Sequence, residues 1–349
     1  MHNGCVPEET RRQPTIKDVA AAAGVSISTV SHVYSRARPI SEPTAARVTA
    51  AAEALGYIPN PSAASLRGGQ VGIFGLVLRP RNAVHGSLSG TETFTRFSGA
   101  AAAATLATGR GLLHVPNVLA EKARRVAMDG CIVMGPYERD DVVAALKKRH
   151  VPVVCADVDP SNPDDPWAVH VDYRPAVEQL LSAAASGGAQ RLALIAGSEA
   201  NNWTMSTRGT IQEWCSAAGL SLTAHDLFEG VGSTGAEGLA FDLLGSSTPP
   251  DTIVVSSTRF AGGVLAAAKR LSIRIPEDLR VCALTDSALT RDAEPSITSL
   301  DLLLEDQAKA CVDLLIRALS EGSPPLQPVI VTPQVRWRAS LGSPGEGAP

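Results

Sequence analysis

The stretch that decides the fold is TIKDVAAAAGVSISTVSHVY, residues 15–34. Its apolar residues recur at helical spacing on both sides of Gly24, which predicts two short helices, 16–23 and 27–34, joined by a tight turn. A third helical pattern follows at residues 44–55. Because helices this short are unstable alone, we expect the three to pack together as a bundle.

The predicted turn gives the second helix one buried face and one exposed face. Val19, Ala20 and Ala23 of the first helix can pack against Val30 and Val33 of the second. The residues that this packing leaves outside are Ile27, Ser28, Thr29 and His32. A helix exposed in this way can enter the major groove of DNA. The alternative is a plain three-helix bundle whose exposed polar side chains have no function.

The distribution of charge agrees with a DNA-binding N-terminal part. The chain has 349 residues, 44% hydrophobic and 19% charged, and a formal net charge of -4. This composition excludes a wholly disordered chain. Residues 1–69 hold seven Lys or Arg against five Asp or Glu, a net charge of +2, so the remaining 280 residues carry -6. A mildly basic head therefore precedes an acidic body.

Several protein classes are disfavoured by the rest of the composition. The six cysteines are scattered and form no C-x-x-C pair, so neither a zinc site nor a disulfide framework is expected, and no metal or other cofactor is predicted. No apolar run approaches the roughly 18 residues of a membrane span, and the N-terminus lacks a signal-peptide core. We therefore expect a cytoplasmic protein without membrane contact.

Short apolar runs alternate with helical stretches beyond residue 70. The predicted strands are 71–78, 112–115, 131–134, 151–156, 191–196, 252–256 and 281–284. This alternation predicts an α/β body of buried parallel strands, and its length favours two sheets with a cleft between them. The predicted divisions are a flexible extension at 1–14, a helix-turn-helix domain at 15–58, a hinge helix at 59–69, a body at 70–340 and a flexible tail at 341–349.

The head resembles the DNA-binding headpiece of the lactose/galactose-repressor (LacI/GalR) family, and its motifs are similar to the purine-repressor pattern. The resemblance rests on TIKDVA at residues 15–20, TVSHV at residues 29–33, and the segment from Pro59 to Leu66. It implies that Ile27, Ser28 and His32 read major-groove base edges, with Arg38 adding a further base contact. It implies phosphate contacts for Thr15, Thr29, Ser31 and Tyr57.

The same resemblance gives residues 59–69 a specific role. In relatives this segment folds into a helix on DNA, pairs with its dimer mate in the minor groove and inserts a leucine between base pairs. Leu66 holds that position here, Ala63 permits close helix contact, and Arg67 adds a positive charge near phosphate. The resemblance therefore implies a homodimer, with a tetramer also open, on double-stranded operator DNA.

The body resembles the family's effector domain, which is similar to periplasmic sugar-binding proteins. This implies two parallel-sheet subdomains, approximately 70–170 plus 300–325 and 171–299 plus 326–340, with the body also forming the dimer. The implied effector contacts are His85, Trp203, Arg208, Ser257, Thr285 and Asp286. Because several of these positions depart from the family's usual residues, the effector is left as a sugar, a sugar phosphate or a nucleoside-like molecule.

Functions from other classes have weaker support. The glycine-rich segment 232–238 lacks both the dinucleotide-binding spacing and a Walker lysine, and segment 86–90 has Leu88 where a nucleophile elbow needs its nucleophile. No enzyme is therefore predicted. The sequence predicts a DNA-binding transcriptional regulator, most simply a repressor, whose operator affinity a small molecule modulates. The alternative is a regulator with a degenerate pocket that answers no small molecule, or answers a protein.

Overall fold

A computed structural model describes residues 14–35, 38–57, 70–79, 92–115, 118–119 and 126–342. The chain divides into two compact units, one ending at Val71 and one beginning at Gly72. We call the first unit the headpiece and the second unit the body, and describe each by itself.

The headpiece contains three helices: α1 (Ile16–Ala23), α2 (Ile27–Ser35) and α3 (Glu42–Leu55). The Asp18 carboxylate accepts hydrogen bonds from the backbone N–H and the hydroxyl of Thr15, both at 2.7 Å, and thereby fixes the start of α1. Gly24 ends α1 in the left-handed conformation, with φ of 63°, which favours glycine. The three predicted helices are confirmed, with α3 beginning two residues earlier than expected.

A small apolar core holds these helices together. Its buried members are Val19, Ala20, Ala23, Val30, Val48 and Ala52. Val33 and Tyr57 pack against this group from its margin. The predicted packing of α1 against α2 is therefore confirmed, and α3 completes the core through Val48 and Ala52.

The body contains two six-stranded sheets. The strands are β1 (Ile73–Leu78), β2 (Gly111–His114), β3 (Gly130–Met134), β4 (Val153–Ala156), β5 (Ala168–Val171), β6 (Arg191–Ala196), β7 (Ser221–Asp226), β8 (Thr252–Val255), β9 (Arg280–Ala283), β10 (Thr298–Asp301), β11 (Val329–Val331) and β12 (Gln334–Arg336). The first sheet has the order β11-β5-β4-β3-β1-β2, with every pairing parallel. The second has the order β12-β10-β9-β8-β6-β7, in which only β12 is antiparallel.

Helices cover both faces of these sheets. They are α4 (Glu92–Ala107), α5 (Asp141–Lys148), α6 (Arg174–Ser186), α7 (Asn202–Ala218), α8 (Gly232–Leu244), α9 (Thr258–Arg270), α10 (Ala288–Arg291) and α11 (Leu304–Ser320). Along β6, Leu192 and Leu194 belong to one core cluster and Ala193 and Ile195 to another. Because both faces are buried, the strand reads as a continuous apolar run, which is why the sequence pattern revealed it.

The chain passes between the two subdomains three times, after β5, after β10 and after β11. The first subdomain consists of the first sheet with α4, α5 and α11, and the second consists of the other sheet with α6 to α10. Strand β11 pairs with β5 of the first sheet, so the expected boundary at residue 326 is wrong. The third crossing lies between Val331 and Gln334, because β11 completes the edge of the first sheet before β12 joins the second.

Five strands escaped the sequence pattern. They are β5, β7, β10, β11 and β12. Each is short or mixes polar with apolar residues, and β7 has the sequence SLTAHD at the edge of its sheet, where most of its side chains are exposed. None of the helices among the described residues is long and apolar enough to cross a membrane.

Helices α8 and α9 approach each other closely in the second subdomain. A Cβ atom placed on Gly263 would lie 2.4 Å from the Ser233 carbonyl oxygen and 2.6 Å from the Glu237 backbone nitrogen. Glycine at this position therefore sets the distance between the two helices.

Candidate nucleic-acid interface and inter-subdomain cavity

Helix α2 presents an exposed face that combines apolar and polar side chains. Ile27 is 44% exposed, Ser28 is exposed, and Thr29 and His32 are partly exposed. The Ser26 hydroxyl accepts a hydrogen bond from the Thr29 backbone N–H at 3.1 Å, which caps the start of α2. Four residues predicted to face DNA are thus brought to one side of one helix.

The other predicted DNA contacts in the described part of the headpiece have different surroundings. Thr15 is partly exposed at the start of α1, and Arg38 is exposed beyond α2. Tyr57 is partly exposed, with its ring centroid 6.2 Å from that of Tyr34. Ser31 is buried at 8% exposure, and its phosphate contact remains a prediction.

Four predicted site residues lie outside the described residues. They are Ala63, Leu66, Arg67 and His85. Their implied roles in the minor groove and in effector binding remain predictions.

A cavity with about 860 Å³ of empty volume, including its open mouth, lies between the two subdomains of the body. Its described lining residues are Thr93, Phe94, Met134, Gly135, Ala156, Asp157, Tyr173, Glu199, Asn201, Trp203, Glu229, Ser256, Ser257, Thr258, Arg259, Thr285, Leu302, Leu304 and Gln307. Many of these directly follow a strand, because the carboxyl ends of the parallel strands in both sheets face the cavity.

Asp157 lies at the end of β4, on the side of the first subdomain. Its carboxylate accepts hydrogen bonds from the Tyr173 hydroxyl at 2.6 Å, the Asn202 amide at 2.7 Å and the Val158 backbone N–H at 2.8 Å. Burial raises its pKa to about 6, although these hydrogen bonds favour the charged form. Three donors therefore fix the position of this carboxylate.

Glu229 lies across the cavity, in a short 3₁₀ turn after β7. Its pKa is raised to about 7, first by burial and then by the negative charge of Glu199, while Arg259 acts in the opposite direction. Because Glu199 and Arg259 follow β6 and β8, three strand ends of the second sheet bring ionisable side chains together.

Three predicted effector contacts line the cavity: Trp203, Ser257 and Thr285. Trp203 lies in the first turn of α7, with its ring edge-on to Tyr173 at a centroid distance of 5.2 Å and an interplanar angle of 69°. Ser257 immediately precedes α9. The Thr285 hydroxyl donates to the Ser256 carbonyl oxygen at 3.3 Å.

Arg208 and Asp286 do not line the cavity, which corrects two expectations. Arg208 forms an ion pair with Asp226 of β7. Asp286 is buried and accepts hydrogen bonds from the Ser299 hydroxyl at 2.7 Å and Arg338 at 2.7 Å. Burial alone would raise the pKa of Asp286, but these donors lower it below its usual value. Its partners give this carboxylate a structural role within the second subdomain.

Hydrogen bonds and ion pairs join the two subdomains at separate places around the cavity. On one side the Tyr137 hydroxyl contacts the Glu199 carboxylate, and the Glu138 backbone N–H donates to the Ala200 carbonyl oxygen at 2.9 Å. On another side Glu92 of α4 accepts from the Ala288 backbone N–H at 2.7 Å and from Arg291 at 2.8 Å. Any opening of the cleft must break some of these contacts.

Sequence reasoning missed the five ionisable residues of the described cavity lining: Asp157, Tyr173, Glu199, Glu229 and Arg259. The position just after a predicted strand was a usable signal for Asp157, and a position shortly after one was a usable signal for Glu199 and Arg259. Tyr173 and Glu229 follow strands that were not predicted. Across the described ranges, no group of three His, Cys, Asp or Glu side chains could hold a metal ion.

Two parts of the sequence match known families, in the order in which the two units occur. Residues 15–60 match the bacterial regulatory proteins of the lacI family, and residues 181–341 match the periplasmic binding protein-like domain. The chain belongs to the LacI family. As a LacI-family protein it is a DNA-binding transcriptional regulator, with the headpiece as its DNA-binding domain.

Individual relatives agree with this assignment. The maltose regulon regulatory protein MalI of Escherichia coli K12 is 34% identical over 197 residues, which is 54% of this chain and 55% of that protein. The regulator CelR of Thermobifida fusca is 27% identical over 340 residues, 93% of this chain and 97% of that protein. The Lac repressor dimer bound to operator and the anti-inducer ONPF has the same fold, with a TM-score of 0.75, 20% identity, and coverage of 95% of this chain and 100% of that chain.

Proposed function

We propose that this LacI-family regulator binds a palindromic operator as a homodimer in the cytoplasm, and that a small molecule in the inter-subdomain cavity changes its operator affinity. The observation that carries the proposal is the cavity itself. Side chains of both subdomains line it, and contacts that join the subdomains surround it. A ligand held there touches both subdomains at once.

The exposed face of α2 supplies the chemistry for reading DNA. Ile27 can contact a thymine methyl group, and His32 can donate to a guanine acceptor. Hydroxyl groups such as that of Thr29 can bond phosphate oxygens, which position the protein without reading sequence. Leu66 completes the proposal as the minor-groove wedge, whose insertion unstacks base pairs at a cost of about a few kcal/mol.

The effector acts through the position of the two subdomains. A ligand shifts a conformational equilibrium only by its difference in affinity for the two states, commonly about 1–3 kcal/mol. Asp157 reaches Asn202 across the cleft, and Glu92 reaches Arg291. A ligand that spans the same cleft favours one spacing of the subdomains over another.

Fluorescence anisotropy on genomic DNA fragments tests the DNA-binding part. We expect tight, salt-sensitive binding to few fragments, and we expect His32→Ala to weaken binding to those fragments by about 1–3 kcal/mol while leaving non-specific binding unchanged. Leu66→Ala should weaken operator binding and reduce DNA bending without unfolding the headpiece. Equal affinity of the parent protein for every fragment would remove sequence-specific regulation from the proposal.

Thermal-shift and anisotropy titrations with sugars, sugar phosphates and nucleosides test the effector part. Trp203→Ala removes a cavity ring and should weaken any ligand that changes operator affinity. Arg208→Ala is the matched control, because Arg208 belongs to the same helix but pairs with Asp226 away from the lining. A ligand response lost in the Arg208 variant and retained in the Trp203 variant would contradict the placement. Operator binding without any ligand response would favour a regulator that answers a protein instead.

A further inference from the structure

The described lining of the cavity carries an excess of negative charge. Its ionisable acids are Asp157, Glu199 and Glu229, and Arg259 is the one Lys or Arg among the described lining residues. Charges interact more strongly in a partly enclosed cleft than in bulk water. A phosphate or carboxylate ligand would therefore meet repulsion from most of this lining.

Two of the three acids already have partners within the protein. Asp157 accepts hydrogen bonds from Tyr173, Asn202 and Val158. Glu199 contacts the Tyr137 hydroxyl, which ties it to the first subdomain. The arrangement of these two carboxylates is thus explained by contacts that hold the cleft together.

Glu229 differs from the other two acids. Within the described ranges, no hydrogen bond from another residue reaches its carboxylate, and the charges that influence it are those of Glu199 and Arg259. A Cβ atom on Gly197 would lie 2.6 Å from the Glu229 Oε1 atom. Glycine at residue 197 therefore leaves room at the end of β6 for a carboxylate that the described protein groups do not satisfy.

Aromatic rings line the same cavity. Phe94 comes from α4, Tyr173 follows β5, and Trp203 lies in the first turn of α7. The electron-rich faces of such rings attract organic cations, most strongly in the case of tryptophan. Aromatic rings in the lining, together with a carboxylate that no described residue hydrogen-bonds, are a combination suited to a positively charged organic group.

We propose that the cavity binds a ligand that carries a protonated amine, and that Glu229 is the residue that receives this amine. The inference rests on the proposed effector role of the cavity and names the chemical class of the effector. Glu229 is then the residue that discriminates an amine from a hydroxyl or an anionic group at the same position of a ligand.

Binding of such a ligand is linked to a proton. Glu229 faces the carboxylate of Glu199 from the loop after β6 and the guanidinium of Arg259 from α9, with Asp157 lining the cavity from the first subdomain. Its pKa of about 7 means that it is roughly half protonated at neutral pH. An ammonium group beside it favours the ionised form, so binding near pH 7 should release roughly half a proton.

Isothermal titration calorimetry on the full chain tests the assignment with matched probes. The pairs are glucosamine with glucose, galactosamine with galactose, mannosamine with mannose, and putrescine with 1,4-butanediol. We expect at least one amine to bind about tenfold or more tighter than its hydroxyl counterpart, with proton release measured in buffers of different ionisation enthalpy. Glu229→Gln should reduce that preference to about twofold or less and remove the proton release.

Asp242→Asn is the control variant. Asp242 lies exposed on α8 of the same subdomain, so its replacement by the amide removes a carboxylate without touching the cavity. It should retain both the amine preference and the proton release. A thermal melt verifies that the Glu229 variant is folded.

The amine assignment, in which Glu229 receives the protonated amine of the ligand, is overturned by any of three results. These are a hydroxyl counterpart that binds as tightly as its amine, an amine preference that survives Glu229→Gln, or no amine that binds. The proposed function is judged by a different readout. A neutral sugar that binds as tightly as its amine counterpart and changes operator affinity removes the amine assignment and supports the regulatory cavity. An amine that binds with Glu229 dependence but never alters operator affinity supports the assignment and contradicts the effector role.

Discussion

The headpiece and the body hold their functional residues in place with very different amounts of core. Six buried residues hold the three helices of the headpiece together. The body buries clusters on both faces of each of its two sheets. Since the fraction of surface that a domain buries rises with its size, a small unit has little stability to lose. A substitution of equal cost therefore affects the headpiece far more than the body.

The two regions also differ in where their functional residues come from. In the headpiece the residues proposed to read DNA, Ile27, Ser28 and His32, lie within one helix of nine residues. In the body the cavity lining extends along the chain from Thr93 to Gln307. The headpiece depends on the stability of one short helix, whereas the cavity depends on the relative position of two subdomains. Substitutions that unfold the headpiece should therefore leave the cavity intact, and substitutions that disturb the cavity should leave the headpiece folded.

The largest expected effect is in the headpiece core. Val30 is fully buried, and Val30→Asp places an unpaired charge among apolar neighbours, at a cost of more than about 4 kcal/mol. We expect loss of all measurable operator binding, with the thermal transition of the body unchanged. Calorimetry and anisotropy on the same preparation measure both. A body transition that also falls by several degrees would contradict the independence of the two units.

A smaller effect is expected where α8 meets α9 in the body. Gly263→Ala introduces a Cβ atom 2.4 Å from a backbone oxygen, so the helices must separate, at a cost of about 1–3 kcal/mol. The neighbouring Gly262 has open space around it, so Gly262→Ala should be neutral or stabilising. Chemical denaturation of both variants gives the comparison, and equal stabilities would mean that the close approach carries no strain. Operator binding should persist in both.

Replacement of Gly24, in the turn between α1 and α2, should destabilise the headpiece through backbone strain alone. Gly24 has φ of 63°, and no atom lies within 4 Å of where its Cβ would be. Gly24→Ala should destabilise the headpiece by about 1 kcal/mol, since only the left-handed backbone is disfavoured. Gly24→Asn should cost less, because asparagine adopts this conformation more readily. If the two variants melted alike, strain at residue 24 would not be the cause.

The smallest effect concerns the pH dependence of the body. The pKa of Glu229 is raised in the fold from 4.5 to about 7. The native state therefore binds more protons than the unfolded state over this range, and its stability falls as pH rises through it. Glu229→Gln should reduce that fall by on the order of 1 kcal/mol. Thermal melts at pH 5 and pH 8 provide the measurement, and identical pH dependence in parent and variant would contradict it.

Most of the headpiece was predictable because its signals are contiguous. The apolar spacing around Gly24 fixed two helices and their packing, and the exposed positions of Ile27 and Ser28 followed from it. The burial of Ser31 was not predicted, because its position around the helix axis lies between those of the exposed Ile27 and Ser28. The residues that line the cavity were harder to predict, because the direction of a side chain depends on the residue at which its helix or strand begins.

Arg208 and Trp203 illustrate the difficulty. Helix α7 begins at Asn202. Trp203 therefore occupies the first turn beside the cavity, and Arg208 lies about 140° around the axis and roughly 7.5 Å along it, where it meets Asp226. Thr285 and Asp286 are adjacent residues after β9, and successive side chains in extended backbone point to opposite sides. Thr285 reaches the cavity and Asp286 reaches Arg338.

The three crossings of the chain between the subdomains have a consequence for synthesis on the ribosome. The first sheet gains its edge strand β11 and its covering helix α11 only from residues 304–331. The headpiece, in contrast, is complete by Tyr57. At about 5–20 residues per second, translation needs roughly 15–55 seconds to extend the chain from residue 58 to residue 331, where the first sheet is complete. During that interval the nascent chain therefore carries a complete headpiece. Both sheets of the body remain incomplete until β11 and β12 have left the ribosome.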